Sequence, residues 1–545
     1  MNDIATKTDI TAKAGGRLDP ITVEVLWTRL VSAVDEAALA LHRTSFSTVV
    51  RESHDYTCMI LDPAGRAVVQ ATRSVPSFIG TLPMSVTAFL KKYPAATLSP
   101  GDVIISNDPW IGTGHLPDLT LAAPIFHKGQ LVGFAGAIAH MSDIGGRRRA
   151  PDNTDIYEEG LQIPILKLYE AGRANETLYD IIRRNVRVPA EVTGDIHAMV
   201  GSTEKMTAGL TKLLGEYGLD DMEPLAAEVI GRTEVAMRRA IAAVPDGEYR
   251  TVTMVDSFNS SAPLRIECTM RIKGDTLAVD FAGSSPQNPS PLNSVLGYTR
   301  AYSTYALKCV LLPDVPNNEG NVLPITIDAP EGTFLNPHYP AAVEARATVG
   351  HYTTSAILNT LALALPDRVP AESGIPLHGF TIRGRRKGRP FSSIFFYSGG
   401  QGARPDQDGL PTLSFPTNVS NTPVEVLERL LPVRIHDKTL LQGSGGRGKF
   451  KGGPGQRIEM EMLNPEGANV VLLSQRISFP PVGRQGGENG RLERILFNGE
   501  PVEGERPFAM AEGDRFVLEL PGGGGYGDAA ERDPALVARD RERDL

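Results

Sequence analysis

Apolar residues first recur at helical spacing at Val23, Leu26, Leu30, Val34, Ala37 and Leu41. Asp19-Pro20, just ahead of them, reads as an N-cap and first helical residue. One amphipathic helix over about 20–44 is predicted. Tyr56–Asp62 and Arg66–Ala71 read as two strands around a Pro-Ala-Gly turn. Leu119–Phe126 and Leu131–Ala139 are apolar, strand-like runs. His127-Lys-Gly-Gln130 between them is a tight turn in which Gly129 can take φ > 0. From about 175 to 244 the period changes to that of helices. TLYDIIRRN, EVTGDIHAMV, MTAGLTKLLGEYG and EPLAAEVIGRTEVAMRRAIAAV carry apolar residues at i, i+3, i+4, punctuated by Pro189 and the Gly218 region. Near 245 the pattern becomes that of strands, in YRTVTMVDS, LRIECTMRI and TLAVDFAG, with Lys273-Gly274-Asp275 as a turn. Beyond about 420 the short strands RIEMEML, NVVLLS, RILFNG and RFVLEL lie in a glycine-rich background, and ALVARDRERDL ends the chain as a charged helix or tail.

These changes of period predict an α+β, multi-domain chain rather than a regular βαβ array. A disordered leader spans 1–18. An N-terminal mixed α/β region, 19–244, carries the hairpin and the helical segment. A β-meander with a helix follows over 245–420, then a glycine-rich β domain over 421–530 and a charged tail over 531–545.

Composition narrows the function. The chain has 545 residues, 41% hydrophobic and 22% charged, enough for two or three cores. Its net charge of −9 argues against a non-specific nucleic-acid binder. The basic runs Arg147–Arg149 and Arg383, Arg385, Arg386, Lys387 and Arg389 read as solvated surface. Cys58, Cys268 and Cys309 show no CxxC spacing, which argues against a disulfide framework and a thiolate metal site. No apolar h-region opens the chain and no run approaches a membrane span, so a soluble cytoplasmic protein is expected.

His115, Asp118 and His140 flank the hairpin and are the best chemical candidates. With Lys128-Gly129 as a two-residue loop, paired positions sum to about 257. His140 then falls opposite Pro117, with Asp118 one position away and His115 two. Two imidazoles and a carboxylate suit Zn²⁺, Mn²⁺ or Fe²⁺ and leave a position open for water or substrate. Strict alternation turns Asp118 to the opposite face, but Gly112, Gly114 and Pro117 interrupt regular strand there and let it swing round. Ordinary polar residues at a loop–strand junction remain the alternative. Asp143 is either a further ligand or general base, or a turn aspartate. Asp55 begins a strand, and only tertiary structure can bring it near. His54 is a weaker candidate, and Asp108 reads as a turn former.

Other motifs lead away from nucleotide chemistry. Gly443-Ser-Gly-Gly-Arg-Gly-Lys-Phe450 approaches a phosphate-binding loop, but Phe450 stands where Ser or Thr should hold Mg²⁺ and Lys-Gly-Gly-Pro-Gly cannot open a helix. Gly522–Gly525 is too repetitive for a dinucleotide fingerprint. No GxSxG elbow is present.

In combination, several motifs carry a family resemblance. They are RESHDYTCMILDPAGRAVVQA at 51–71, SNDPWIGTGHLPDLTLAAPIF at 106–126, AHMSDIGG at 139–146, DFAGSSPQNPSPLN at 280–293, PNNEG at 316–320, NTPVEVLE at 421–428, SGGRGKFKGGPG at 444–455 and PGGGGYGDAAERDP at 521–534. From about Asp19 to Arg532 the chain resembles the B (beta) subunits of the hydantoinase/oxoprolinase family, which are related to the alpha subunits of acetone-type carboxylases. The resemblance implies a metal held by His115, Asp118 and His140, with Asp55 as a fourth ligand or catalytic group. It implies a hetero-oligomer with a separate A subunit that binds ATP and phosphorylates the carbonyl oxygen of a cyclic amide. This chain would then complete ring opening with metal-activated water, Asp143 or Asp55 carrying the proton. An alpha-type subunit of a ketone carboxylase and a non-catalytic scaffold are the alternatives. The chain departs from the family pattern in stopping at Leu545, in Arg147–Arg149 after the Gly-Gly pair, and in His54.

Overall fold

The computed structural model describes residues 18–147, 149–257, 262–472, 474–502 and 508–542. The expected leader lies outside these residues except for Leu18, which is buried. Helix α1 (Pro20–Thr44) begins as its sequence suggests, with Asp19 accepting from the Ile21 and Thr22 amides, and its Val23-to-Leu41 stripe is buried. After the short α2 (Thr48–Arg51) come β1 (Tyr56–Leu61), β2 (Ala67–Gln70), α3 (Thr81–Lys92) and β3 (Val103–Ser106). The hairpin is β4 (Asp118–His127) and β5 (Gln130–His140), followed by β6 (Leu166–Glu170) and β7 (Arg173–Ala174). These strands form one antiparallel sheet in the order β2-β1-β5-β4-β3-β6-β7.

Helices α4 (Glu176–Asn185), α5 (Pro189–Tyr217) and α6 (Glu223–Ala242) complete this part. The segments EVTGDIHAMV and MTAGLTKLLGEYG are one helix, α5, opened by Pro189 and closed by Gly218 at φ 66°. Helices α1 and α5 cover one face of the sheet and α3 the other. The central strands are thus buried on both faces, which explains their unbroken apolar runs.

The hairpin turn is as expected, with Lys128 at φ 49° and Gly129 at φ 80°. The register is not. Phe126 pairs with Leu131, but Ile125 pairs with Gly133, so Val132 is an extra residue on β5. Beyond this bulge every pair moves by one position, and His140 stands opposite Asp118 instead of Pro117.

The next part comprises β8 (Gly247–Val255), β9 (Leu264–Lys273), β10 (Thr276–Asp280), α7 (Leu296–Leu311), β11 (Ile325–Asp328) and α8 (Arg346–Ala364). Its sheet runs β11-β10-β9-β8, with α8 packed on β8, β9 and α7. The last part holds β12 (His378–Arg386), β13 (Arg389–Tyr397), α9 (Val424–Leu430), β14 (Val433–Leu441), β15 (Gly455–Met462), β16 (Ala468–Leu472), β17 (Arg494–Phe497), β18 (Glu500–Pro501), β19 (Phe508–Met510), β20 (Arg515–Glu519) and α10 (Pro534–Glu542). Its two sheets, β13-β12-β16-β19 and β14-β15-β20-β17-β18, share one core.

The boundary expected at 420 is therefore displaced. The β12–β13 hairpin completes its ladder with β16, so residues 378–397 belong with the strands beyond 420. The charged end of the chain forms helix α10. Arg532 and Arg539 both reach Asp408, at 2.8 and 2.9 Å, and fix α10 against it.

The glycine-rich segments are structural. Gly446 donates to Gly523 O, Gly453 to Gln401 O, Gly523 to Gly453 O and Gly525 to Glu488 O, at 2.8–2.9 Å. Main chain thus lies directly on main chain. A Cβ on Gly523 would overlap the Gln401 carbonyl, and one on Gly452 the Gly523 carbonyl. Among the described residues no helix is long and apolar enough to cross a membrane.

Two glycine substitutions should act with opposite sign. Gly523→Ala is expected to cost roughly 3 kcal/mol or to prevent folding, because rigid main chain must move. Gly231→Ala, in α6 with nothing within 4 Å of its Cβ position, should stabilise by about 0.5–1 kcal/mol. Denaturant midpoints of the two variants check both signs.

Candidate active site

Three neighbouring chain segments place the candidate residues in one row. Tyr56 pairs with Ala139, and the His140 amide donates to Asp55 O at 3.1 Å. Across the other edge of β5, Asp118 pairs with His140. Asp55, His140 and Asp118 therefore lie side by side, and residues in register across a sheet share a face. The bulge at Val132 puts Asp118 on the same face as His140, so no swing of the carboxylate is needed. His115 comes from the turn before β4, where Gly114 sits at φ 90° against the Arg346 side chain.

All four are buried: His115 is 4% exposed, Asp118 1%, His140 2% and Asp55 8%. Asp118 Oδ1 lies 2.9 Å from His115 Nε2 and 2.8 Å from His140 Nδ1. Asp55 Oδ2 is 3.9 Å from His140 Nδ1. One ligand-type atom from each of His115, Asp118 and His140 falls within 4.8 Å of the other two.

The fourth wall was not anticipated. Arg346, the first residue of α8, donates from Nη2 to Asp118 Oδ2 and, at 2.8 Å, to His115 Nε2. Its guanidinium lies 3.9 Å from the Tyr298 ring centroid. Glu344 O is 3.4 Å from His115 Nδ1. A carbonyl can only accept, which puts the ring proton on Nδ1 and leaves Nε2 with its lone pair facing Asp118 Oδ1. The Arg346 guanidinium is the cation beside these two acceptors, since its Nη2 reaches both side chains. Glu159 Oε1 steadies this segment by accepting from the Val343 and Glu344 amides at 2.8 Å.

Charge states follow from burial. Burial and the Arg346 charge pull His115 down to about 3, so its imidazole is neutral. Burial opposes ionisation of Asp118, but His115, Arg346 and the bond from His140 hold its carboxyl well below the ordinary value. Burial and the adjacent Asp118 charge push Asp55 up to about 7.

The other candidates lie apart from this row. Asp143 is fully buried, but its carboxylate accepts from Arg187 Nη1 at 2.7 Å and from the Arg187 amide. It is the counter-ion of Arg187 at a turn whose Gly145 and Gly146 both have positive φ. His54 stacks on His42 at 4.7 Å and contacts Arg73. Asp108 accepts from the Trp110 amide at 3.0 Å, as a turn former does. The phosphate-loop lookalike at 443–450 opens no helix and packs on Gly522–Tyr526.

A second buried knot lies along α8. His351 Nε2 is 2.7 Å from Thr417 Oγ1, and Nδ1 is 3.1 Å from Gln475 Oε1. The Tyr302 ring lies 6.2 Å from that imidazole.

The family model for hydantoinase B/oxoprolinase matches residues 19–529, and the chain belongs to that family. The putative D-/L-hydantoinase B component of Pseudomonas sp. (strain NS671) is 31% identical over 96% of this chain and 92% of the relative. The beta subunit of the caprolactamase of Pseudomonas jessenii is 32% identical over 96% and 93%. A 5-oxoprolinase of Dictyostelium discoideum is 28% identical over 94% of this chain but 40% of its own length. The crystal structure of the ATP-dependent caprolactamase from Pseudomonas jessenii superposes with a TM-score of 0.88 at 29% identity, covering 97% of this chain and 94% of that one. The nucleotide-free acetone carboxylase structure also gives 0.88, at 19% identity over 97% and 78%, and shares the fold.

Two outcomes are expected. Arg187→Met strips the partner from the buried Asp143 carboxylate and should cost roughly 2 kcal/mol in denaturant unfolding, discounted for the partly exposed guanidinium. Burial lowers His351 to about 4 from an ordinary 6.5. Between those values the unfolded chain binds a proton that the folded chain refuses, so stability falls as pH falls through that window. Denaturation at about pH 7.5 and pH 5 should show a smaller pH effect for His351→Gln than for the wild type.

Proposed function

We propose that this chain is the metal-dependent beta subunit of an ATP-dependent cyclic-amide hydrolase of the hydantoinase, oxoprolinase or lactamase type. ATP is bound by a partner A subunit, which phosphorylates the substrate carbonyl, and this chain completes the ring opening. The observation that carries the reading is the buried convergence of His115, Asp118 and His140, with Asp55 in the same row, in a member of this family. The glycine-rich segments, used up in main-chain packing, fit a reading in which ATP is bound by another chain.

The donor set fits a divalent ion such as Zn²⁺, Mn²⁺ or Fe²⁺. His115 is kept neutral by burial, and its Nε2 lone pair faces Asp118 Oδ1 at 2.9 Å. His115, Asp118 and His140 would hold the ion. When bound, it supplies Lewis acidity for water attack on the activated carbonyl.

The chain's own groups do the rest. A carbonyl activated as a phosphate ester gives up the amide resonance that protects the ring. Asp55, raised toward neutrality and 3.9 Å from His140, is suited to exchange a proton near pH 7. We assign proton transfer to Asp55 rather than to Asp143, whose carboxylate is committed to Arg187.

The test is His140→Ala, co-produced with its partner subunit. Metal content by elemental analysis should fall, and ATP-dependent hydrolysis of hydantoins, oxoproline or lactams should drop at least a hundredfold, without any requirement for bicarbonate. Retention of both metal and hydrolysis in the variant overturns the reading.

A further inference from the structure

We propose that the Arg346 guanidinium is a resident competitor of the metal: it occupies the His115 lone pair that a divalent ion needs, and so sets how tightly the centre binds one. The inference rests on the metal-dependent reading above and concerns this chain alone.

The contest is at one atom. In a neutral imidazole one ring nitrogen donates and the other accepts. Glu344 O, 3.4 Å from His115 Nδ1, fixes the proton there. Nε2 is left as the ligand-type atom, with a single lone pair. Arg346 Nη2 lies 2.8 Å from Nε2 and donates into that lone pair. A lone pair that accepts a hydrogen bond cannot ligate a cation at the same time. The short segment from Glu344 to Arg346 therefore grips His115 at both nitrogens.

Asp118 divides its oxygens differently. Oδ1 lies between the two imidazoles, 2.9 Å from His115 Nε2 and 2.8 Å from His140 Nδ1. Arg346 takes the other oxygen, Oδ2. The bond to Oδ2 can persist while the one to Nε2 is given up, so the guanidinium need only turn about its Asp118 end. Its surroundings permit the turn. Among the described residues its hydrogen bonds all end on His115 and Asp118, and its Nε is buried with no partner. The Tyr298 ring, 3.9 Å away, attracts the cation without fixing the direction of its donors. Arg476 makes the contrast. It too is buried and lies on a tyrosine ring, but Glu372 and Ser355, which belong to no ligand set, fix its donors.

Charge acts in the same direction as the lone pair. A guanidinium within hydrogen-bond reach of two ligand residues repels a divalent ion placed among them, and burial leaves that repulsion poorly screened. The arrangement has a use. A buried carboxylate beside a neutral imidazole is costly without a cation, so Arg346 balances the folded chain before metal uptake. The consequence is weaker affinity and readier exchange than the three ligands alone provide.

The probe is Zn²⁺, competed against a chromogenic chelator in the metal-stripped, full-length chain, and the binding counted is that which His140→Ala abolishes. Arg346→Met should bind Zn²⁺ at least tenfold more tightly than the wild type, and exposed Arg389→Met should match the wild type. In urea the metal-free Arg346→Met chain should unfold at a lower midpoint, and saturating Zn²⁺ should raise that midpoint further than it raises the wild type's. A residue that merely braced the ligands would reverse the sign of both Zn²⁺ measurements. Circular dichroism checks that each variant is folded. If Arg346→Met does not fold without metal, Arg346→Gln, which keeps a donor for Asp118 but not the charge, carries the same expectation. Binding by the variant but not by the wild type is the competition in its strongest form. Unchanged or weaker binding by a folded variant overturns the proposal and leaves the metal reading standing. Absence of Zn²⁺ binding in both wild type and variant overturns the two together.

Discussion

The buried carboxylate of Asp118 sets the terms for everything around it. At 1% exposure it must be surrounded by donors or be excluded from the fold. Three groups close round it: the neutral His115 imidazole in the preceding turn, His140 across the hairpin, and the Arg346 guanidinium at the start of α8, whose Nη2 donates to both Asp118 and His115. The first two come from the part built on the seven-stranded sheet, whereas Arg346 comes from the part built on a different sheet. The contact between Asp118 and Arg346 therefore both completes the site and joins two parts of the chain. Neither part can close its polar inventory alone.

Burial also separates carboxylates that look alike in sequence. Asp143 and Asp55 each follow or precede a strand close to a histidine. Asp143 meets one guanidinium nitrogen and the main-chain amide of Arg187 and becomes a structural ion. Asp55 meets another carboxylate and too little solvent, and its proton is held to about neutral pH. The difference lies in residues 187 and 118, not in the aspartates themselves.

What could be read from the sequence was local. The cap at Asp19, the turn at Lys128-Gly129 and the Pro189–Gly218 limits of α5 are each set by a few adjacent residues, and each stands as expected. The three ligand-type residues were legible by type and spacing, but their register was not. Val132 carries no local mark of a bulge, so pairing counted from the turn ran one position off. Partners far along the chain were also out of reach: β12 meets β16 some 90 residues later, and Arg346 lies 228 residues from Asp118. A signal for Arg346 did exist. Glu344 and Arg346 are the last charges before a stretch without Asp, Glu, Lys or Arg that continues to Asp367. Charges at the head of an otherwise uncharged, buried helix need partners as Asp118 does.

The glycine-rich segments reach the site through that same helix. Along α8, Tyr352 donates to Asp256 Oδ2 at 3.1 Å and lies under the Arg476 guanidinium at 4.7 Å. Arg476 in turn binds Glu372 at 2.9 Å, and Glu372 O accepts from Gly524 within the glycine packing. Main chain packed on main chain has no side-chain rotamers to rearrange, so it is a stiff anchor. Helix α8, roughly 28 Å long at 1.5 Å per residue, runs from that anchor to Asp118. Its first residue is positioned by contacts made six and more residues further on. The glycines that resemble a phosphate loop thus serve the chemistry at a distance, by fixing where the Arg346 guanidinium stands.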